Sequence, residues 1–134
     1  MDRSAARKDG KGGVITCLAP DVCKTPVGDK VIPIPYMITS QLMWTEREAQ
    51  TVKFGGLKAF NMNSRTNKVV GDEPGTVGGI KSGVNRGYCK PITNHMTVTV
   101  EGFQLVLHTC NYEMNCAGPE GSGNTVGQLM YFCF

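Results

Sequence analysis

The chain holds only two histidines and one tryptophan, and aromatic residues make up just 7% of its 134 positions. A nucleic-acid-binding module ordinarily shows a clustered basic face with aromatics interleaved. Here the net charge is only +3. The basic residues gather mildly near the start, at Arg3, Arg7, Lys8, Lys11, Lys24 and Lys30. That excludes a nucleic-acid footprint. No apolar run approaches the ~18 residues of a membrane-spanning helix. The opening Met1-Asp2-Arg3-Ser4-Ala5-Ala6-Arg7 is polar and leads into no apolar signal segment. The expectation is a protein that begins in a cytosol and leaves, if it leaves, by a route without a cleaved signal.

Glycine and cysteine are what the chain has in quantity. Seventeen of 134 residues are glycine, well above the usual ~7%, with no collagen period. Glycine adopts positive φ without steric cost, so this content reads as many short strands joined by turns. The length suits one domain with its own core. Six cysteines without a secretory signal favour metal ligation or free thiols over disulfides.

Residues 1–13 are charged and glycine-rich, and are expected to form a flexible arm ahead of a domain at 14–134. Val14-Ile15-Thr16 reads as a short strand and Cys17 to Gly28 as a loop with two prolines. Val31 to Tyr36 carries alternating prolines, which cannot donate to a sheet ladder, so it reads as an edge-type extended segment. Gln41 to Gln50 suits a short helix or a short strand equally. Its apolar Leu42, Met43 and Trp44 are contiguous rather than spaced by three or four.

Two segments signal hairpins. Val52-Lys53-Phe54 precedes Gly55-Gly56 and Leu57 to Phe60; Val98-Thr99-Val100 precedes Glu101-Gly102 and Phe103 to Leu107. Each is a strand, a two-residue turn ending in glycine, and a second strand. Superposing Gly56 on Gly102 aligns the flanks, an internal repeat whose copies must stack to bury a core. Thr125 to Phe134 reads as a strand, either a degenerate third copy or an edge. Residues 71–83 hold five glycines and one proline and must form a shaped loop.

Cys17 and Cys23 enclose five residues, and so do Cys110 and Cys116, with His108 two positions before the second loop. Zinc takes four N or S donors in a tetrahedron, and two loops brought together could supply them. Buried free thiols explain the same cysteines equally well. Cys133 lies in an apolar tail and reads as core, and His95 as a surface or packed residue. Cys89 with His95 is conceivable as a catalytic pair, but no nucleophile motif frames either. Residues 71–83 lack the Gly-Lys-Ser/Thr of a phosphate loop. Asp72 and Glu73, being adjacent, point to opposite faces and make a poor glycosidase pair.

Taken in order, several motifs resemble the PAAR-like domains. They are Cys17-Leu18-Ala19-Pro20-Asp21-Val22-Cys23-Lys24-Thr25-Pro26, then Ile32-Pro33-Ile34-Pro35-Tyr36, then Gly71-Asp72-Glu73-Pro74-Gly75-Thr76 with Gly79 and Ser82-Gly83, then Val98 through Gly102 and His108. The resemblance implies a mainly β fold, a small conical single domain of short β-hairpins with pseudo-threefold repeats. It implies a non-catalytic tip that caps the trimeric valine–glycine repeat spike of a type VI secretion system, with a sharp apex held by one zinc ion. Partners would be the spike, a separate effector or adaptor and, transiently, a target membrane. The protein would wait in the bacterial cytoplasm and be exported on firing. The chain departs from its relatives in lacking the Pro-Ala-Ala-Arg signature. It also carries Cys110, Met114 and Cys116 where relatives place Asp and His. On this resemblance the zinc ligands are expected among Cys17, Cys23, Cys110 and Cys116, with His108 as substitute for any one. Two other readings are a small cysteine-dependent effector enzyme and the tip of an extracellular or phage-like contractile particle.

Overall fold

The structure is a computed structural model that describes residues 5–8, 13–92, 98–107, 110–118 and 121–131. In chain order the strands are β1 (Gly13–Cys17), β2 (Asp21–Val27), β3 (Lys30–Tyr36) and β4 (Thr39–Gln41), then β5 (Thr45–Glu46), β6 (Lys53–Phe54), β7 (Leu57–Lys58), β8 (Arg65–Thr66) and β9 (Gly78–Gly79). They continue as β10 (Tyr88–Pro91), β11 (Thr99–Val100), β12 (Phe103–Gln104), β13 (Asn111–Cys116) and β14 (Thr125–Tyr131). Between β4 and β5, Leu42–Trp44 make one 3-10 turn. The fold is mainly β, as the glycine and turn content predicts.

Seven strands form one curled sheet in the order β4-β1-β14-β13-β10-β8-β5. Its main core gathers Ile15, Ile38, Leu42, Phe60, Val69, Val106, Tyr112, Met114 and Leu129. Each such buried side chain contributes about 1.5–3 kcal/mol relative to exposure. The Phe60 and Tyr112 rings pack tilted, with centroids 5.8 Å apart. Two sequence expectations change here. The Thr125 segment is a strand but not an edge, since β14 pairs with β1 on one side and β13 on the other. The Cys17–Gly28 segment is not all loop, because Asp21 to Val27 form β2.

A second sheet has the order β3-β2-β9. β3 is its edge strand, as the alternating prolines indicate. The carbonyls of Val22 and Lys24 accept N–H bonds from Ile80 and Val77 on the β9 side. Their partners across the ladder are Pro35 and Pro33. Both prolines therefore occupy positions whose nitrogens face away from β2, where a missing N–H costs no ladder bond.

The two repeated hairpins share their turn geometry and a closing hydrogen bond. Gly55 and Gly56 have φ of 60° and 84°, Glu101 and Gly102 of 52° and 87°, the positive pair that a two-residue I′ turn requires. Ala59 N donates to Val52 O in one copy and Leu105 N to Val98 O in the other, both at 3.0 Å. The copies share a smaller core of Ala49, Ala59, Val100 and Leu105, with Val52 and Phe54 packed against it. The extended segment Ala5–Lys8 lies between them. Ala5 bridges Leu107 and Arg7 bridges Ala59, while Ala6 N donates to Val106 O and Phe60 N to Ala6 O.

Candidate metal centre

β2 turns an unusual face inward. Asp21, Cys23 and Thr25 alternate as the buried residues, while Val22, Lys24 and Pro26 face outward. The loop after residue 70 lays Asp72 over them. Gly75 allows this approach: a Cβ there would stand 2.5 Å from Cys23 Cβ. Gly79 does the same beside Asn124, whose side chain would collide with any added Cβ.

Asp21, Cys23 and Asp72 thus meet in a fully buried cluster, their ligand atoms all within 4.8 Å of one another. Cys23 Sγ lies 3.4 Å from Asp21 Oδ2 and 3.9 Å from Asp72 Oδ2. Two asparagines close the cluster. Asn115 Nδ2 donates to both Asp21 oxygens at 3.2 Å. Asn124 Nδ2 donates to Asp21 Oδ1 at 2.5 Å and to Val22 O at 2.9 Å. Their amide oxygens hold the loops, with Asn115 Oδ1 accepting from Gly87 N and Asn124 Oδ1 from Lys81 and Ser82 N. Asp21 is therefore saturated with donors. Asp72 is held more loosely: Oδ2 accepts long bonds from Arg86 N at 3.4 Å and from the Cys23 thiol at 3.9 Å, and the buried Oδ1 has no hydrogen-bond partner.

The electrostatics follow from burial and crowding. Burial, then the neighbouring Asp21, push the Asp72 carboxyl up to about 7. Burial, followed by Asp21 and then Asp72, pushes the Cys23 thiol up to about 12. Two carboxylates and a thiol with no balancing side-chain cation among the described residues must share protons or take up a cation. The group could hold a metal ion.

Of the four cysteines expected as ligands from the sequence, Cys23 enters this cluster and Cys17, Cys110 and Cys116 lie elsewhere. Cys17 ends β1, where its sulfur accepts the Ile38 N–H at 3.3 Å and its thiol faces Met37 Sδ at 3.9 Å. Cys110 packs half-buried against the main core, its thiol 3.5 Å from Asn111 O. Cys116 ends β13, buried within electrostatic reach of Cys89 and Glu113. Burial raises Cys110 to about 11 and both Cys89 and Cys116 to about 12. His108, His95 and Cys133 lie outside the described residues. Asp21 and Asp72 are not among the metal ligands expected from the sequence, where Asp72 is weighed only as half of a carboxylate pair with Glu73. The available signal was that Asp21 stands two positions before Cys23, hence on the same face of a strand.

Comparison with known proteins finds no match among curated proteins and none among solved structures. A protein-family model, the toxin PAAR-like domain, matches residues 14–126. That span runs from β1 into β14 and takes in the Asp21–Cys23–Asp72 cluster and both hairpins. The chain belongs to the toxin PAAR-like domain family.

Proposed function

We propose that this protein is a non-catalytic spike tip. It caps the trimeric valine–glycine repeat spike of a type VI secretion system, sharpens it for membrane puncture and helps deliver a separate effector. The observation that carries this reading is the family match across residues 14–126. A tip must transmit force through a narrow cross-section. The fold supports such a role by knitting its loops to its sheets: Glu101 of one hairpin ties the segment before the other, and the asparagine cluster pins the 71–87 loop. The role places the protein in the bacterial cytoplasm before firing and outside the cell afterwards.

Cysteine chemistry supports the non-catalytic side of the reading. An activated nucleophile needs a thiol shifted downward, towards thiolate at neutral pH. Cys23, Cys89, Cys110 and Cys116 are all pushed upward by burial. The test is co-purification of the tagged chain with the trimeric spike protein. Retention of the spike at low and moderate salt is expected; failure to retain it at every ionic strength overturns the reading.

A further inference from the structure

We propose that Asp21, Cys23 and Asp72 form a structural site for one divalent ion of the zinc class, set in the body of the fold and distinct from a site built on the paired cysteine loops. Three observations lead there. The first is spacing. With Zn–S of ~2.3 Å and Zn–O of ~2.1 Å, adjacent ligand atoms of a tetrahedron stand roughly 3.6 Å apart. The sulfur–oxygen separations are 3.4 and 3.9 Å, each within a few tenths of an ångström of that edge, and all three ligand atoms lie within 4.8 Å of one another. The second is donor type. Magnesium and calcium take all-oxygen shells, whereas a thiolate with two carboxylates suits a borderline-soft ion.

The third is the orphan oxygen. Asp72 is fully buried and its Oδ1 has no hydrogen-bond partner. That oxygen shares a carbon with Oδ2, which borders Cys23 Sγ, so this carboxylate has a lone pair free to turn to an ion. The other polar groups around the cluster are already engaged. Asn115 and Asn124 hold Asp21 by their amide N–H groups and the loops by their amide oxygens, as outer-shell groups that orient a ligand do.

The ion would fasten the 71–87 loop to β2 and, through the asparagines, to β13 and the start of β14.

The test is cobalt(II) loading of the full chain, followed by the thiolate-to-cobalt absorption band and by competition with zinc. The expected result is about one ion per chain, a sulfur-to-metal band that Cys23→Ser abolishes, and affinity at least tenfold weaker in Asp72→Asn, whose fold is checked by circular dichroism. Cys17→Ser, Cys110→Ser and Cys116→Ser should retain the band. Should Cys23→Ser fail to fold, the near-isosteric Asp72→Asn carries the test. Absence of metal uptake by the folded wild-type chain overturns the proposal. So does a band that survives in Cys23→Ser or Asp72→Asn at wild-type affinity, or one that depends on Cys110 or Cys116. The measurement uses no spike protein, so its failure leaves the spike-tip reading standing.

Discussion

Asp72 shows how one buried carboxyl governs its surroundings. In the unfolded chain it releases its proton near 3.8; in the metal-free fold it keeps it to about 7. Between those values the folded state binds more protons than the unfolded one. This residue's contribution is therefore fully present below about pH 4 and is lost as pH rises towards and through 7. Urea unfolding with a chelator present should show that decline, and Asp72→Asn should remove its share of it. Equal pH profiles for wild type and Asp72→Asn would place the proton elsewhere. A steric prediction accompanies this one. Gly75→Ala drives a Cβ into Cys23 and should cost roughly 3 kcal/mol. Gly28→Ala meets nothing within 4 Å at a φ of +63°, and should cost only about 1 kcal/mol. Equal shifts in the two denaturation midpoints would show that the loop yields easily. These residues also mark what the sequence conceals. The Asp21, Cys23 and Thr25 face alternates with period two, but its polar members point inward and Val22 and Pro26 outward. A hydrophobic-alternation reading inverts it or takes it for a loop, and the Asp72 partner is 49 positions from Cys23.

At the scale of the element, the two hairpins were fully legible, because an I′ turn is specified by the two residues that make it. The second copy puts Glu101 where the first has Gly55, and accepts positive φ on a residue with a Cβ. The carboxylate offsets that strain. It accepts from Gln50 N, Thr51 N and Thr51 Oγ1 at 2.7–2.8 Å. The Thr51 bonds chiefly hold its pKa below the usual carboxylate range. This stabilisation is present above the unfolded value of 4.5 and lost as pH falls through the lower folded value. Glu101→Ala should therefore speed amide exchange at Gln50 and Thr51 at neutral pH while leaving β1 and β14 protected. Unchanged exchange at both amides would show the bonds to be transient. The Gln41–Gln50 segment was not legible in the same way. It has no turn chemistry of its own, and it splits into the end of β4, a single 3-10 turn and β5 because β1 pairs with Gln41 and β8 with Thr45 and Glu46.

Across the whole molecule, what joins the parts is sequence-distant and so invisible to local pattern. β1 lies between β4 and β14, and Ala5–Lys8 bonds to both hairpins at once. Removing residues 1–8 deletes the bonds Ala6 N to Val106 O, Phe60 N to Ala6 O and Lys8 N to Lys58 O. At about 1 kcal/mol each, the truncated chain should lose roughly 3 kcal/mol, seen as a lower melting temperature; no change would make the segment dispensable. The β class, the hairpin pair and the edge character of β3 were all readable from residue order, whereas the sheet order and the acidic cluster arise only when distant segments meet. The central claim, that this PAAR-like fold caps a threefold spike, is tested most directly by native mass measurement of the chain mixed with the spike protein. The account predicts a complex of one copy of this chain on three spike chains. Two separate species at every ionic strength would contradict it.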